Sequence, residues 1–382
     1  MHKCVLTAFV MDIGLFRQML DMDSTSGRER EFAEFLAERL QTERNKVDTF
    51  EVGDGTLNVL ISWGEPEVVF CSHLDTVPPY IEPSFSEDGA VVCGRGTCDA
   101  KGQIFAMWEA CKVLESKGYE GFGLLLLAGE ETGSYGAKAF RGQYSGAEWV
   151  IVGEPTDNCM ASAAKGTKAF EVTFAGKAFH SGYPQYGISA VELFNDFMNA
   201  LRSVRFPIDE TLGETTWNVG RLVSDNPQNI LSDSLTCRVY FRTTSESDEM
   251  VCNIMKNIAG EDARLRFGRP RVQDGSDVVG KDVAQWQRAM SVTELGGDTP
   301  SRFETFEGFP SKPVAFGSDA PQLTNFRRKV LCGPGSILVA HRADEHVLLS
   351  EIESAVSTYV KMFEYIKKRP SNLHDTQMIL NI

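Results

Sequence analysis

The most constraining feature of the chain is the segment from Leu124 to Gly133, which reads LLLLAGEETG. Four consecutive aliphatic residues in so short a run are typical of a strand buried on both faces. The run ends in two adjacent acids, Glu130 and Glu131, and buried carboxylates are costly unless a cation meets them. Acids also complement the dipole at the start of a helix. Taken alone, the segment therefore fits a helix N-terminus and a metal site about equally well.

Length and composition limit the kinds of protein that this chain can be. At 382 residues it is too long for one ordinary core, so two domains are expected. Hydrophobic residues make up 42% of the chain and charged residues 24%, which predicts a sizeable core rather than disorder. The formal net charge of -15 argues against nucleic acid or an anionic membrane as a partner.

The cysteines and the apolar segments bear on where the protein resides. Nine cysteines are scattered without a CxxC pair, which suits reduced thiols in a cytoplasm better than a disulfide framework. The early run CVLTAFVM is short and lacks a clear cleavage site, so it is interpreted as a first helix or an irregular start. No stretch approaches the length of a membrane span. The prediction is a cytoplasmic protein with no membrane partner.

The first part of the chain alternates between apolar strands and amphipathic helices. Helices are predicted after the turn at residues 24–27 and at residues 103–117. Strands are predicted at residues 58–61, 68–71, 124–127 and 149–152. This alternation predicts an α/β fold with a mostly parallel sheet and helices on both faces.

From about Lys165 the pattern changes to half-exposed strands, and the predicted order becomes β-α-β-β-α-β, as in a ferredoxin-like domain. The elements are strands at 170–174, 216–223, 235–243 and 264–267, with helices at 188–204 and 247–258. Short strands at 312–316, near Val330 and at 337–339 then precede a closing helix at 347–366. The prediction is a catalytic domain of residues 1–164 and 276–382, with residues 165–275 inserted as a lid and dimerisation domain.

Candidate metal ligands follow the carboxyl ends of the apolar strands, the edge at which open α/β sheets bind ligands. They are His73, Asp75, Glu130, Glu131, Glu154 and His341, and Asp99 in its glycine-rich turn could reach the same crevice. The chain has only six histidines, so two at such edges are a signal. Imidazole with carboxylate suits Zn, Co or Mn better than Ca or Mg, and a pair of metals needs one bridging carboxylate.

Acids of this set that do not bind a metal could have other chemical roles. A Glu beside two metals could act as general base on a water molecule, and Asp75 could orient His73 by accepting its second N–H. Spacing alone leaves open which of Glu130 and Glu131 is the base and which is a ligand. A glycosidase pair is excluded, because adjacent residues cannot flank a sugar bond from opposite sides. Cys98 is interpreted as a buried thiol rather than a nucleophile.

Seven motifs then carry a family resemblance across nearly the whole chain. HLDTVP, GRGTCDAKG, GEETGS, VGEPT, GKAFHSG, FGSDA and CGPGS with AHRADE stand in this order. They resemble the co-catalytic zinc family of acetylornithine deacetylase, succinyl-diaminopimelate desuccinylase, aminoacylase and glutamate carboxypeptidase. The resemblance implies two divalent metal ions, zinc first, with cobalt or manganese as alternatives. It also implies the ligand roles: His73 and Glu154 on one metal, Glu131 and His341 on the other, Asp99 between them, Glu130 as base and Asp75 steering His73.

The resemblance also assigns residues outside the metal set. His180 would reach the active site of a partner subunit and stabilise the oxyanion, in a homodimer formed through the inserted domain. Asn229 and Arg242 would hold the substrate, with the planar guanidinium suited to a carboxylate, and Gly317 and Ser318 would add contacts. On residue type alone, His180 is more often a surface or core histidine, and Arg242 could be a strand-edge surface charge.

The function expected from the resemblance is a metal-dependent amidohydrolase that removes an N-acyl group from an amino acid, most similar to acetylornithine deacetylase. Succinyl-diaminopimelate desuccinylase, dipeptidase and carboxypeptidase activities stay open, because the residues that read the acyl group are not legible. The substrate is then a small N-acyl-amino acid or a dipeptide. A non-catalytic binding homologue would lack a ligand or the base, and all are present; a single-zinc enzyme is harder to exclude.

Overall fold

A computed structural model describes residues 10–53, 55–258 and 290–368. The chain forms two compact units, each with its own core. The first unit contains the chain up to Ser162, Phe303–Lys312 and the chain from Ser318; the second contains Ala163–Arg302 and Pro313–Gly317.

The described helices and strands are numbered along the chain. The helices are α1 Ile13–Leu20, α2 Arg30–Arg39, α3 Lys101–Ser116, α4 Tyr135–Gln143, α5 Ala190–Ser203, α6 Asp248–Ile258 and α7 Leu349–Lys368. The earlier strands are β1 Lys46–Gly53, β2 Thr56–Trp63, β3 Val68–His73, β4 Ser84–Phe85, β5 Val91–Cys93, β6 Phe122–Leu127, β7 Trp149–Val152 and β8 Met160–Ala164. The later strands are β9 Gly166–Ala175, β10 Thr216–Val223, β11 Ser234–Thr243, β12 Met290–Gly296, β13 Ser301–Arg302, β14 Ser311–Val314, β15 Arg328–Leu331 and β16 His346–Leu348.

The first unit is built on a six-stranded sheet in the order β1-β2-β6-β3-β7-β15. Strands β6, β3, β7 and β15 are parallel, whereas β1 and β2 join antiparallel. Every residue of β3, β6 and β7 is buried, which is why these strands read as continuous apolar runs. The mostly parallel sheet is confirmed. Because these strands are parallel, their carboxyl ends meet at one edge.

The second unit contains an antiparallel sheet in the order β10-β11-β9-β12, with α5 and α6 packed on it. The chain order β9-α5-β10-β11-α6-β12 follows the predicted β-α-β-β-α-β pattern. Alternation is clear on β9 and β11, where buried apolar residues alternate with partly exposed ones. The predicted last strand at 264–267 lies outside the described residues, and β12 takes the fourth position in the sheet.

The structure differs from the predicted domain limits on the C-terminal side of the inserted domain. The boundary at residue 275 itself lies outside the described residues. Residues 290–302, predicted to be catalytic, belong to the second unit because β12 pairs with β9, with Val292 opposite Val172. The short stretch Pro313–Gly317 also returns to the second unit. Long-range strand pairing of this kind leaves little trace in local sequence.

Two predictions near the C-terminus were wrong in detail. Residues 337–339 form a turn rather than a strand, closed by the Val339 N–H donating to Ser336 O at 3.1 Å. Three apolar residues are too few to show a period that separates a strand from a turn. The closing helix begins at Leu349, because the preceding residues form β16, which pairs with β5. No described helix has both the length and the apolar character needed to cross a bilayer.

Candidate metal centre

Asp99 lies between the two histidines that the sequence singles out. His73 ends β3, and its Nε2 is 3.0 Å from Oδ1 of Asp99. Nε2 of His341 is 3.3 Å from the other oxygen, Oδ2. One carboxylate thus faces an imidazole with each of its oxygens. A carboxylate that presents one oxygen to each of two imidazoles is a candidate bridge between two cations.

Glu131 completes the cluster on the side of His341. Its Oε1 is 2.9 Å from Nε2 of His341, the nitrogen that also faces Asp99. Candidate ligand atoms of His73, Asp99 and Glu131 all lie within 4.8 Å of one another. The left-handed backbone of His341, with φ of 63°, belongs to the turn that replaces the predicted strand. The turn brings this imidazole to the sheet edge from a segment more than two hundred residues away from Glu131.

Asp75 has two sets of partners, of which the sequence indicated only the first. Nδ1 of His73 lies 2.9 Å from the carbonyl oxygen of Asp75 and 3.5 Å from its carboxylate. The carboxylate also accepts the backbone N–H groups of Glu130 at 2.9 Å and of Glu131 at 3.2 Å. Asp75 therefore fixes both the histidine and the turn that carries the two acids.

The pKa values of the site follow from burial and from facing charges. Burial alone would lower the pKa of His73, but hydrogen bonds to Asp75 and Asp99 more than offset it and raise that pKa well above its ordinary value. Burial would raise the pKa of Asp99, but the two imidazoles hold it below the usual range. Hydrogen bonds to Asp99 and Glu131 raise the pKa of His341 to about 10. The imidazoles and carboxylates of this cluster thus favour one another's charged forms.

The pKa values of Glu130 and Glu154 are raised, whereas that of Asp99 is lowered. Glu154 follows β7 and is buried, whereas Glu130 keeps part of its surface exposed. Burial raises the pKa of both carboxyl groups well above the ordinary value, and neighbouring acids, Asp99 and Asp319 among them, raise it further. The facing charge of His73 opposes this effect only in part. Crowded acids of this kind are stabilised by added positive charge.

Sequence reasoning missed several residues that support this cluster. Asp319 is 2% exposed, and its charge acts on Glu130 and Glu154. Its signal was present, because it stands in the FGSDA motif. Ser26 Oγ donates to Asp75 Oδ2 at 2.8 Å, from the turn before α2. The buried Glu345 accepts the backbone N–H of Asp99 at 3.1 Å, and its signal was present as well, because it ends the AHRADE motif.

Two of the predicted residues in the second unit lie next to each other. The Ser181 N–H donates to Asn229 O at 2.9 Å, and His180 forms an isolated bridge with Ile230. Both His180 and Asn229 are exposed. The Gly182 N–H donates to Nδ1 of His180 at 3.0 Å, so in the neutral ring Nε2 carries the proton. His180 therefore presents an N–H donor at the surface of this unit.

Arg242 lies at the end of β11, with its guanidinium carbon 5.0 Å from the centre of the Tyr240 ring. A side chain at Gly317 would begin 3.8 Å from Nη1 of Arg242, so this glycine lies beside the guanidinium. Burial lowers the pKa of Lys165, and the charge of Arg242 lowers it further against the opposing charge of Glu214. Within the described residues, no carboxylate is close enough to Arg242 to form an ion pair. The other predicted substrate residue, Ser318, is buried in the first unit, and its Oγ accepts the Ala320 N–H at 3.3 Å.

The residues of the first unit fit a divalent metal pair by the chemistry of their donors. Two imidazoles and carboxylates converge, and one carboxylate presents an oxygen to each imidazole. Nitrogen and oxygen donors of this kind suit zinc, cobalt or manganese. Burial, together with neighbouring acids, raises the pKa of Glu130 and of Glu154, so a divalent cation held by this donor set would stabilise their carboxylate forms.

This arrangement predicts that metal binding releases protons. The pKa of His341 is raised to about 10, so at pH 8 the ring is protonated, and a metal needs the neutral ring. Affinity for metal should therefore rise with pH up to about 10. Calorimetry at pH 8 in two buffers of different ionisation enthalpy should give different heats, with more than half a proton released per chain. Equal heats in both buffers would contradict the assignment of His341.

Comparison with known proteins found a matching family profile and several similar proteins. The profile of "Peptidase family M20/M25/M40" matches residues 69–365. A probable carboxypeptidase of Aspergillus clavatus is 30% identical over 390 residues, covering 92% of this chain and 88% of its own length. The di-peptidase Dug1p of Saccharomyces cerevisiae superimposes with a TM-score of 0.69 at 11% identity, covering 94% of this chain and 96% of its own. The Bacillus subtilis YXEP protein, a dinuclear metal-binding peptidase, superimposes with a TM-score of 0.65 at 11% identity. The match covers 93% of this chain and 97% of the YXEP chain.

Proposed function

The chain belongs to peptidase family M20/M25/M40 and is a metal-dependent hydrolase of amide bonds, and from this premise we propose its substrate class. We propose that it cleaves the amide bond on the amino side of an amino acid with a free carboxylate, in a dipeptide or another short peptide. The observation that carries the hydrolytic part of the proposal is Asp99 shared between His73 and His341. The carboxypeptidase relative supports a substrate with a free C-terminal carboxylate.

The first step of the proposal concerns the metal ligands. His73 and Glu154 would hold one divalent cation, Glu131 and His341 the other, and Asp99 would bridge them. The short contacts of Asp99 and Glu131 with His341 support the second set, and the burial of Glu154 near His73 supports the first. Zinc is proposed, with cobalt or manganese as alternatives. When bound, such cations polarise an amide carbonyl and lower the pKa of water to about 7.

Glu130 would move the proton during the reaction. Its raised pKa and its backbone anchor on Asp75 support a group that takes a proton from water and returns it to the leaving amine. Glu131 is the acid that contacts His341, which leaves Glu130 free of that histidine and available for this role. Asp75 would fix the backbone of both acids, because its carboxylate accepts the N–H group of each.

The second unit would supply the groups that recognise and polarise the substrate. His180 presents Nε2–H, and a donor of this kind stabilises the negative charge that develops on the carbonyl oxygen. Asn229 lies next to it and would contribute to the same task. Arg242, with Gly317 beside it and Lys165 nearby, would bind the substrate carboxylate. Ser318 would add a hydroxyl contact.

Replacing Arg242 tests the carboxylate role. Arg242→Met should lower kcat/KM for peptides with a free carboxylate by about 10- to 100-fold, because a charged hydrogen-bond partner is lost. Peptides with an amidated C-terminus should be poor substrates for the unchanged enzyme and lose little more in the variant. Arg238→Met is the matched control, since Arg238 lies on the same strand and pairs with Glu171. Equal losses for free and amidated peptides would contradict the role of Arg242.

A second candidate function is the removal of an acetyl group from an amino acid, as in acetylornithine deacetylase. The GEPT and CGPGS…HRADE versions of the motifs favour it. The discriminating experiment is a hydrolysis screen with added Zn, Co or Mn, using dipeptides, tripeptides and N-acetyl, N-succinyl and N-formyl amino acids. We expect cleavage of dipeptides or longer peptides with a free carboxylate. Cleavage of N-acyl-amino acids alone would select the second candidate, and no cleavage of any would reject both.

Assembly and location are part of the same proposal. We propose a homodimer formed through the second unit, with His180 acting in the active site of the partner subunit. Among the described strands, β10 lies at the edge of its sheet, and its Leu222 and Val223 are 53% and 60% exposed, which supports such an interface. Mixing Glu130→Gln and His180→Ala proteins should recover activity in hybrid dimers, and no recovery would oppose it. A cytoplasmic location is proposed because the eight cysteines of the described residues are free thiols.

A further inference from the structure

Glu345 is a buried carboxylate that holds the loop carrying Asp99. It is 1% exposed, and its Oε1 accepts the backbone N–H groups of Gly96 at 3.0 Å, Cys98 at 3.1 Å and Asp99 at 3.1 Å. Its Oε2 accepts from Nη1 of Arg95 at 2.5 Å. Both oxygens are therefore occupied by groups of a single loop, residues 95–99.

Arg95 extends this contact to two other segments of the first unit. It is 2% exposed, its Nε donates to Pro79 O at 3.3 Å, and its Nη1 also donates to Arg342 O at 3.3 Å. Pro79 follows the segment that begins with His73, and Arg342 directly follows His341. The Gly94 N–H adds a bond to the carbonyl of Glu345 at 2.9 Å. One ion pair thus joins the three segments that carry the histidines and the shared aspartate.

A contribution to folding stability is a poor explanation for the presence of this buried ion pair. Removing two charges from water is costly, and apolar residues of similar size often stabilise a core as well or better. What an apolar pair could not do is accept three backbone N–H groups that converge on one point. Those three groups include the N–H of Asp99, whose carboxylate must reach Nε2 of His73 and Nε2 of His341 at the same time.

We propose that Glu345, together with Arg95, is a positioning residue for the bridging carboxylate of Asp99, and that it sets the affinity of the chain for its metal pair. The inference rests on the proposed metal centre. Glu345 acts through the backbone of residues 96–99 and through the turn after His341. Partners one step removed from a metal typically change metal affinity by about 10- to 100-fold when they are replaced.

The test measures metal binding to the metal-free protein. In Glu345→Gln, one oxygen can still accept the three N–H groups, but the new NH2 faces the donors of Arg95. We expect the variant to fold, as judged by circular dichroism, and to bind the weaker of two zinc ions about 10- to 100-fold less tightly by calorimetry. The absorption of the cobalt-loaded form should change as well. Glu345→Gln with Arg95→Met removes the donor conflict and should regain part of the affinity.

Glu109→Gln is the matched control. Glu109 is a fully buried carboxylate on α3 in the same unit, and it contacts Lys112 at 2.8 Å and the Asp12 N–H at 3.3 Å. The Glu109→Gln variant should bind zinc with an affinity within about twofold of that of the unchanged protein. This difference is much smaller than the loss of affinity expected for Glu345→Gln. Zinc affinity unchanged in Glu345→Gln, or reduced equally in Glu109→Gln, would overturn the inference. An unchanged protein that binds no zinc would instead reject the proposed metal centre.

Should Glu345→Gln fail to fold, Arg95→Lys replaces it. Lysine keeps the charge opposite Glu345 but cannot reach Pro79 O, Arg342 O and the carboxylate together. This variant should weaken zinc binding in the same direction. Relative to the unchanged protein, the variant should be more active at saturating zinc than at limiting zinc. The reason is that the reacting groups themselves are intact. Unchanged zinc affinity in this variant would overturn the inference.

Discussion

Glu130→Gln should lower kcat by about 10²- to 10⁴-fold while two metal ions stay bound. Glutamine has the same shape, and the Asp75 carboxylate binds only the backbone N–H of residue 130, so the turn should keep its geometry. The amide, however, cannot take a proton from water or return it to the leaving amine. The measurement is kcat for a cleaved peptide, together with metal content per chain.

Glu131→Gln provides the contrast that separates the two adjacent acids. Glu131 contacts His341 at 2.9 Å, so its loss should first reduce metal content and should be partly rescued by excess metal. Glu109→Gln controls for the loss of a buried carboxylate elsewhere in the unit. If Glu130→Gln loses metal while Glu131→Gln keeps it, the roles are exchanged. Near-normal kcat in Glu130→Gln with two metals bound would refute the base.

Asp99→Asn should have an effect of similar size through a different cause. Asparagine keeps one oxygen but replaces the other with an NH2 group, so it can no longer present an acceptor to each side. The loss of metal affinity should exceed the 10- to 100-fold typical of an outer partner, and kcat should fall by at least about 10²-fold at ordinary metal concentrations. Metal content by elemental analysis and kcat against added zinc provide the measurement.

The comparison with His341→Ala sharpens this prediction. His341 faces Glu131 and Asp99, whereas His73 faces Asp99 from the other side. Loss of His341 should weaken one metal position, whereas loss of Asp99 should weaken both. If Asp99→Asn binds two zinc ions with unchanged affinity, the carboxylate does not bridge them.

The parts of the fold that the sequence predicts best are those with strong local patterns. The fully apolar run at β7 and the strand β10 were predicted with the same bounds that the structure shows, at Trp149–Val152 and Thr216–Val223. Buried parallel strands have continuous apolar runs and half-exposed strands alternate, so each pattern has one simple interpretation. The candidate ligands at the carboxyl ends of β3 and β7, His73 and Glu154, followed from the same edge rule.

The parts that could not be predicted depend on distant partners. The turn at residues 337–339 resembles a strand in its three apolar residues, but it folds back to place His341 beside Glu131. Glu345 bonds the N–H of Asp99 across 246 positions of sequence, and no local period reports such a contact. Residues 290–302 fall in the second unit for the same reason, because β12 finds β9 only in the folded chain.

The roles of Glu130 and Glu131 show how the two kinds of information combine. Spacing left the two acids interchangeable, and the family resemblance assigned Glu131 as ligand and Glu130 as base. The structure adds a physical difference, since Glu131 contacts His341 and the pKa of Glu130 is raised by burial and neighbouring acids. It also adds Asp75, whose carboxylate accepts the backbone N–H groups of both acids. The difference is therefore one of geometry as well as of resemblance.

The most direct test of the account is a zinc titration of the metal-free protein, with binding, peptide hydrolysis and metal content followed in the same samples. We expect two zinc ions per chain, hydrolysis that appears as they bind, and loss of hydrolysis on prolonged chelation. Full activity should need both ions, because Asp99 faces His73 with one oxygen and His341 with the other. Full hydrolysis in the chelated protein, or saturation of binding and activity at a single zinc ion per chain, would contradict the dinuclear centre.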